Sequence, residues 1–396
     1  MTRPVDPKTL EEARAAAVPA SLLAALQSAG IAGYLVGGTV RDALLGVAAT
    51  DPDVDVAIEG DVEALLGELG AESRNHDRFG TAAVVLDGKP IDIARTRRES
   101  YAEPGALPDV TPAPIRTDLA RRDFTVNAMA VPLLGEAELI DPYDGHADLE
   151  RRILRAIHPG SFVDDPTRAL RCARYAARLG LVPDEGTLGL LLATDLSTVS
   201  ADRVTAEIVR AAQEDVAVRA FTLLDEWGLI PLGAERLALL AEAAEYLLTD
   251  PWSRIVPRAT VLATIVTADE SLIREARELA SEPGPGDGGA AASALFELAA
   301  RHSDVELAIA RAMGAEWLDL HVIEWRRVGL EIDGHSLAEA GVPEGPAIGA
   351  GLRAALHARI DGAIEAGGEA ELAVALAAAA ALEQPAGAEG EPGALA

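Results

Sequence analysis

Two glycines and two aspartates, set close together, constrain this chain more than any other feature. The stretch Gly33-Tyr-Leu-Val-Gly-Gly-Thr-Val-Arg-Asp-Ala-Leu-Leu-Gly46 reads as a short apolar strand, a Gly-Gly turn and a helix carrying Arg41. The stretch Asp51-Pro-Asp-Val-Asp-Val-Ala-Ile58 follows, and its alternation puts Asp53 and Asp55 on one strand face and Val54 and Val56 on the other. Glycines at Gly37 and Gly38 let backbone N–H groups approach a phosphate, and paired carboxylates hold hard cations. An isolated Asp-x-Asp is more often a solvated strand face. Asp92, between Ile91 and Ile93 on another expected strand, offers a third acid beside the pair.

The rest of the chain divides by composition. At 396 residues it is too long for one ordinary core. Up to about residue 150, expected strands (33–36, 52–58, 81–86, 90–94 and 138–140) alternate with helices near 40–45, 62–69 and 123–129, the pattern of an α/β or α+β domain. Residues 101–114 hold four prolines and read as a loop. After Ile153 the Ala-, Leu- and Arg-rich periodicity predicts helices and no strand. Ser281–Gly289 reads as a linker, and the Pro/Gly/Glu/Ala-rich residues 383–396 as a disordered tail. The boundaries expected are a head at 1–150, a neck at 151–215, a body at 216–285 and a last helical domain at 290–382.

One cysteine, Cys172, leaves no internal disulfide framework and suits a reducing cytoplasm. No targeting segment or membrane-length apolar run is evident. The net charge of −30 argues against a general nucleic-acid binder. Charge is unevenly spread, however: between Arg95 and Arg178 arginines balance acids, whereas residues 360–396 carry no base. The histidines are scattered without metal-ligand spacing.

Two later motifs could serve the same chemistry. In Arg121-Arg-Asp-Phe-Thr-Val-Asn-Ala-Met129, Asp123 fits a helix N-cap preceded by two arginines. In Asp164-Asp-Pro-Thr-Arg-Ala-Leu-Arg-Cys-Ala-Arg174, Asp165 fits an N-cap before Pro166, with Arg168 and Arg171 on the same broad helix face. A carboxylate beside a guanidinium can read a base edge. It accepts from the exocyclic amine of cytosine or adenine while the guanidinium donates to the ring nitrogen, and it faces a carbonyl in uracil or guanine. Each motif also reads as an ordinary capped helix with solvated arginines.

Taken in order, these segments resemble the bacterial-type (class II) tRNA nucleotidyltransferase and poly(A) polymerase family. The matching pieces are Leu35-Val-Gly-Gly-x-Val-Arg-Asp-x-Leu-Leu-Gly46 with Asp53-x-Asp55, Arg121-Arg-Asp-Phe-Thr-Val-Asn-Ala128, Asp141-Pro-Tyr-Asp-Gly145 and Asp164-Asp-Pro-x-Arg168-x-x-Arg171. The resemblance implies an α+β, polymerase-β-like nucleotidyltransferase head with a small mixed sheet, followed by all-α neck, body and tail. It implies Mg²⁺ at Asp53 and Asp55, and nucleotide contacts from Gly37, Gly38, Arg41, Arg122, Asp123 and Asn127. Asp165 and Arg168 would select CTP or ATP, supported by Arg171 and Arg174. Asp92 as a third catalytic acid is a reading of the strand pattern alone.

The implied partners are CTP, ATP and the 3′ end of tRNA, without a membrane; no sequence signal bears on oligomeric state. The template begins Asp164-Asp165 where CCA-adding members usually have Glu-Asp. With residues 101–108 it looks more like members that add only the terminal A. Addition of CC alone, of A alone or of a poly(A) tail are the alternatives within the class, and a catalytically inactive RNA-binding scaffold is the alternative outside it.

Overall fold

The computed structural model describes residues 5–47, 54–71, 80–286 and 289–383. Asp53, His76 and the tail beyond Glu383 lie outside them. The chain forms two compact units, Met1–Gly233 and Ala234–Ala396.

The first unit is built on a five-stranded mixed sheet. Its strands are β1 (Ala32–Val36), β2 (Val54–Glu59), β3 (Thr81–Leu86), β4 (Lys89–Arg95) and, after a separate hairpin, β7 (Ala130–Pro132). They are ordered β3-β4-β2-β1-β7, and only the β2–β4 pair is parallel. Val56, Ile58, Ile91 and Ile93 are fully buried, whereas Asp55 and Asp92 at the alternate positions are exposed. Two helices, Pro7–Ala17 and Ala20–Ala29, bury Leu10, Leu22 and Leu26 and lead into β1. On the Asp55 face, Ala57 joins Val36, Ile115 and Leu119 in one apolar cluster. That packing seats the helix Ile115–Ala120 on the sheet and delivers the following Arg121 and Arg122 beside the acids.

Several local expectations are corrected. Part of the region read as a loop is the strand β6 (Asp109–Pro112), which pairs with β5 (Arg97–Ser100). Residues 123–129 form a single 3-10 turn, Thr125–Asn127, and not a helix, because the chain must re-enter the sheet as β7 at Ala130. Of the expected strand 138–140, only Ile140 makes an isolated bridge to Ala130. After Ile153, two very short strands, Ile153–Leu154 and Val182–Pro183, do pair in parallel. The helical periodicity read after Ile153 does hold farther on, as in the helices Ala201–Gln213 and Ala217–Glu226.

The described residues of the second unit form helices and no strands. The helices Pro346–Ile360 and Gly368–Glu383 pack with Ile332, Leu337 and Val342 into a small apolar core. They approach so closely at Gly351 that a Cβ there would lie 2.7 Å from the carbonyl oxygen of Ala375. The buried Glu371 accepts from the backbone N of Glu331 and from Arg359, tying the preceding segment to this pair. Ser281–Gly289, read as a linker, falls inside this unit. No helix among the described residues is long and apolar enough to cross a membrane.

Candidate active site

An open cleft of about 930 Å³ lies within the first unit. Its floor is the sheet face carrying Asp55 and Asp92, which stand opposite one another across the parallel β2–β4 ladder. Adjacent strands are about 4.8 Å apart, so the two carboxylates leave the sheet side by side. The floor is closed by the turn at Gly37. Its φ of +67° suits glycine, and a Cβ there would lie 3.0 Å from Arg122 Nη1 and 3.3 Å from Asp55 Oδ2. The turn opens the eight-residue helix Gly38–Leu45, so its first N–H groups begin at the cleft.

A wall of arginines rises beside the floor. The buried Asp118 accepts from the backbone N of Arg97 (3.1 Å), from Arg121 Nε (2.9 Å) and from Arg122 Nη2 (3.4 Å). Glu99 accepts from Arg97, from Arg121 and from the Tyr101 hydroxyl. Two acids therefore orient three guanidinium groups that would otherwise repel one another. Burial, reinforced by Glu99, pushes the Tyr101 phenol well above its ordinary range, so it stays a neutral donor.

Asp123 is not the helix cap its position suggested. Its Oδ1 accepts from the Phe124 backbone N (2.8 Å) and from Asn127 Nδ2 (3.0 Å), while Oδ2 accepts from Arg171 Nε (2.8 Å). Burial alone would raise its pKa, but Arg171, Asn127 and Arg168 outweigh it and hold the carboxyl at about 2. Asn127 in turn accepts from Arg41 Nη1 at 2.6 Å. Arg41 is 1% exposed, pairs with Asp42 and does not line the cleft, so it bears on the site through Asn127 and Tyr175, which do. Arg174 does not line it either: it is held between Glu214 and the ring of Tyr175. Tyr175 is the common platform, with Arg41, Arg171 and Arg174 at 5.6, 5.8 and 4.9 Å from its centroid.

Asp165 and Arg168 face the cleft from the start of the helix Thr167–Leu179. Asp165 does cap this helix, since its Oδ1 accepts from Thr167 N (3.1 Å) and Oγ1 (2.6 Å). The same oxygen also accepts from Arg203 Nη2 (2.8 Å). Arg168 donates to Ser161 Oγ (2.9 Å) and to the Arg121 carbonyl (2.6 Å), which fixes its guanidinium plane.

The cleft thus gathers Asp55, Asp92, Gly37, Gly38, Arg122, Asp123, Asn127, Asp165, Arg168 and Arg171. Arg121, quoted above only as part of its motif, also lines it, as do Arg97, Glu99, Asp118 and Arg203, which had no local signal. In a chain of net charge −30, arginines slightly outnumber acids along this lining. The described residues hold no cluster of three metal-binding side chains; Asp53, the remaining expected ligand, is outside them. Asp55 and Asp92 supply only hard oxygen donors, side by side on one sheet face, which fits a small divalent cation.

The poly A polymerase head domain model matches residues 33–155. The CC-adding tRNA nucleotidyltransferase of Deinococcus radiodurans is 34% identical over 349 residues, covering 85% of this chain and 86% of that protein. The A-adding tRNA nucleotidyltransferase of Halalkalibacterium halodurans is 40% identical over 206 residues, covering 49% of this chain and 48% of that protein. The match to the A-adding relatives spans about half of their length or less. Among solved structures, the complex of a CCA-adding enzyme with ATP superposes with a TM-score of 0.73 at 25% identity, covering 96% of this chain and 97% of that one.

Proposed function

This chain belongs to the tRNA nucleotidyltransferase family that carries the poly(A) polymerase head domain, and from that premise we propose that it adds CMP and AMP from CTP and ATP to the 3′ end of tRNA. The observation that carries the reading is the shared cleft: the Asp55–Asp92 pair faces the Asp165–Arg168 pair across one arginine-lined space. A phosphoryl-transfer centre and a base-reading pair are both needed for untemplated addition, and neither alone would specify it.

Each group has a task in this reading. The backbone N–H of Gly38, at the turn that Gly37 makes possible, and the guanidinium of Arg122 cradle the triphosphate. Asp165 offers its Oδ2, free of the cap and of Arg203, to the exocyclic amine of cytosine or adenine, and Arg168 donates to the adjacent ring nitrogen. A keto base would set its carbonyl against that carboxylate and be rejected. Asp123 and Asn127 hold Arg171 and Arg41 in place around Tyr175. The primer 3′-oxygen attacks the α-phosphorus in line and pyrophosphate departs. We propose Mg²⁺ as the divalent ion, held by Asp55 and Asp53 with Asp92 beside them. When bound it would neutralise charge on the attacking oxygen, the phosphoryl group and the leaving group. The proposed setting is the cytoplasm, which suits the buried thiol of Cys172.

The relatives include A-adding, CC-adding and CCA enzymes, so the number of nucleotides added is the quantity to measure. Incubation with tRNA lacking the CCA end, tRNA ending in CC and tRNA with CCA complete separates the outcomes. Full synthesis extends the first by three nucleotides and the second by one. Extension of only the second marks an A-adding enzyme, and arrest of the first after two marks a CC-adding one. Repeated extension of the third marks a poly(A) polymerase.

A further inference from the structure

Arg203 lies 38 residues beyond Asp165, on the helix Ala201–Gln213, yet it joins that cleft carboxylate to the loop of the β5–β6 hairpin. Its Nη2 donates to Asp165 Oδ1 at 2.8 Å, and its Nη1 donates to the carbonyl of Gly105 at 2.7 Å. Gly105 sits at the end of the β5–β6 hairpin and is buried against the neck. Its own N donates to the Val163 carbonyl at 3.2 Å, and a Cβ added there would lie 2.5 Å from the Thr198 carbonyl oxygen. The Arg203 guanidinium is therefore clamped at one end by backbone and grips the proposed base-reading carboxylate with the other.

The helix that carries Arg203 repeats this complementarity along its length. Glu207 bears electrostatically on Arg171, and Glu214, just past the helix end, pairs with both Arg174 and Arg178. Arg203, Glu207 and Glu214 thus oppose Asp165, Arg171 and the Arg174–Arg178 pair in turn. Such a second helix fixes where the first presents its side chains.

We infer that Arg203 is a positioning residue for nucleotide selection: by holding Oδ1 of Asp165 against the docked Gly105, it leaves Oδ2 as the one oxygen presented to the base. The inference rests on the nucleotidyltransferase reading above. A carboxylate without this restraint can turn about its Cβ–Cγ bond and spread its acceptors. Discrimination against uracil and guanine should then fall while addition of the correct nucleotide continues. Lysine at 203 can reach Asp165 or Gly105 but lacks the planar fork that joins both.

The test measures kcat/KM for CTP against UTP, and for ATP against GTP, on tRNA substrates with the matching 3′ end. The proteins are wild type, Arg203→Lys, Arg203→Ala, Gly105→Ala, Asp165→Ala and the Arg203→Ala/Asp165→Ala double variant. Arg203→Ala and Gly105→Ala should each lower the discrimination ratio about tenfold or more, mainly by raising incorporation of the wrong nucleotide, and Arg203→Lys should lower it less. The double variant should discriminate no worse than Asp165→Ala alone, because Arg203 acts only through that carboxylate. A purely structural role would lower the rate for all nucleotides together and leave the ratio unchanged. An unchanged ratio in folded Arg203→Lys and Gly105→Ala proteins, or losses that multiply in the double variant, would overturn the assignment. If wild type adds no nucleotide to any tRNA end, the nucleotidyltransferase reading itself falls, which is a separate result from active protein with unchanged discrimination.

Discussion

Asp55 and Asp92 occupy the same level of two adjacent parallel strands, so both carboxylates leave the sheet on one face, at the foot of the same cleft. Fully buried Val56 and Ile93 fill the opposite face at the next register, which pins the pair in place. A one-residue slip of either strand would send its acid into the core, so the register is strongly specified.

Asp92→Asn tests whether the second acid belongs to the reaction. It keeps size and strand packing while removing one negative charge from the proposed ion site. Incorporation of labelled nucleotide should fall roughly a hundredfold or more and should demand a higher Mg²⁺ concentration, with tRNA affinity within about twofold of wild type. A variant that matches wild type in rate and Mg²⁺ dependence would reduce Asp92 to a surface acid.

Gly37→Ala tests the turn. The added methyl would press on Arg122 Nη1 and Asp55 Oδ2 in a backbone conformation at φ +67° that an L-residue adopts at a cost of roughly 1 kcal/mol or more. The steric effect falls on the two groups that flank the proposed phosphate site. Nucleotide affinity and rate should both drop sharply, while thermal unfolding shifts by only a few degrees. Equal losses of activity and of folded protein would instead assign Gly37 to stability alone.

Asp165→Asn separates the cap from the base reader. The asparagine oxygen still accepts from Thr167 and Arg203, so the helix start is kept. Its amide N–H₂ replaces the oxygen offered to the base, inverting acceptor into donor. Selectivity should move toward UTP and GTP, read as competing incorporation at equal nucleotide concentrations. Unchanged preference for CTP and ATP would leave Asp165 as a cap only.

Asp123 gives the clearest pH dependence. Its folded pKa of about 2 lies below the ordinary value of 3.8, so it contributes stability above pH ~4 that is lost as pH falls toward 2. The difference corresponds to about 2 kcal/mol at neutral pH. Asp123→Asn should be less stable than wild type by about that amount at pH 7, with the gap closing near pH 2. Urea denaturation followed by circular dichroism at several pH values measures it. A gap that does not change with pH would mean the carboxyl gains nothing from Arg171.

The sheet and its acids were legible because strand alternation is local: Ile91 and Ile93 bracket Asp92 in sequence as they do in the fold. Asp123 was misread as a cap because an aspartate before a polar turn satisfies either role. What decided the matter was Arg171, 48 residues away. Arg41 is a nucleotide contact by the family resemblance alone, and here Asn127, Asp42 and Tyr175 draw it inward, partners that its local sequence does not announce. Arg203, Glu99 and Asp118 carry no motif, and only the closing of the neck and hairpin around the sheet gives them a site. Net charge misled for a related reason: −30 is a sum over the whole chain, while along the cleft lining arginines slightly outnumber acids.

Nucleotide transfer to the tRNA 3′ end is proposed to depend on the Asp55 carboxylate above all. Wild type and Asp55→Ala, each with Mg²⁺, labelled CTP and ATP and tRNA lacking its CCA end, provide the most direct measurement. Wild type should extend the tRNA with release of pyrophosphate. Asp55→Ala should bind the same tRNA with similar affinity and extend it at less than about a hundredth of the rate. No extension by wild type, or extension by Asp55→Ala at a rate near wild type, would contradict the account.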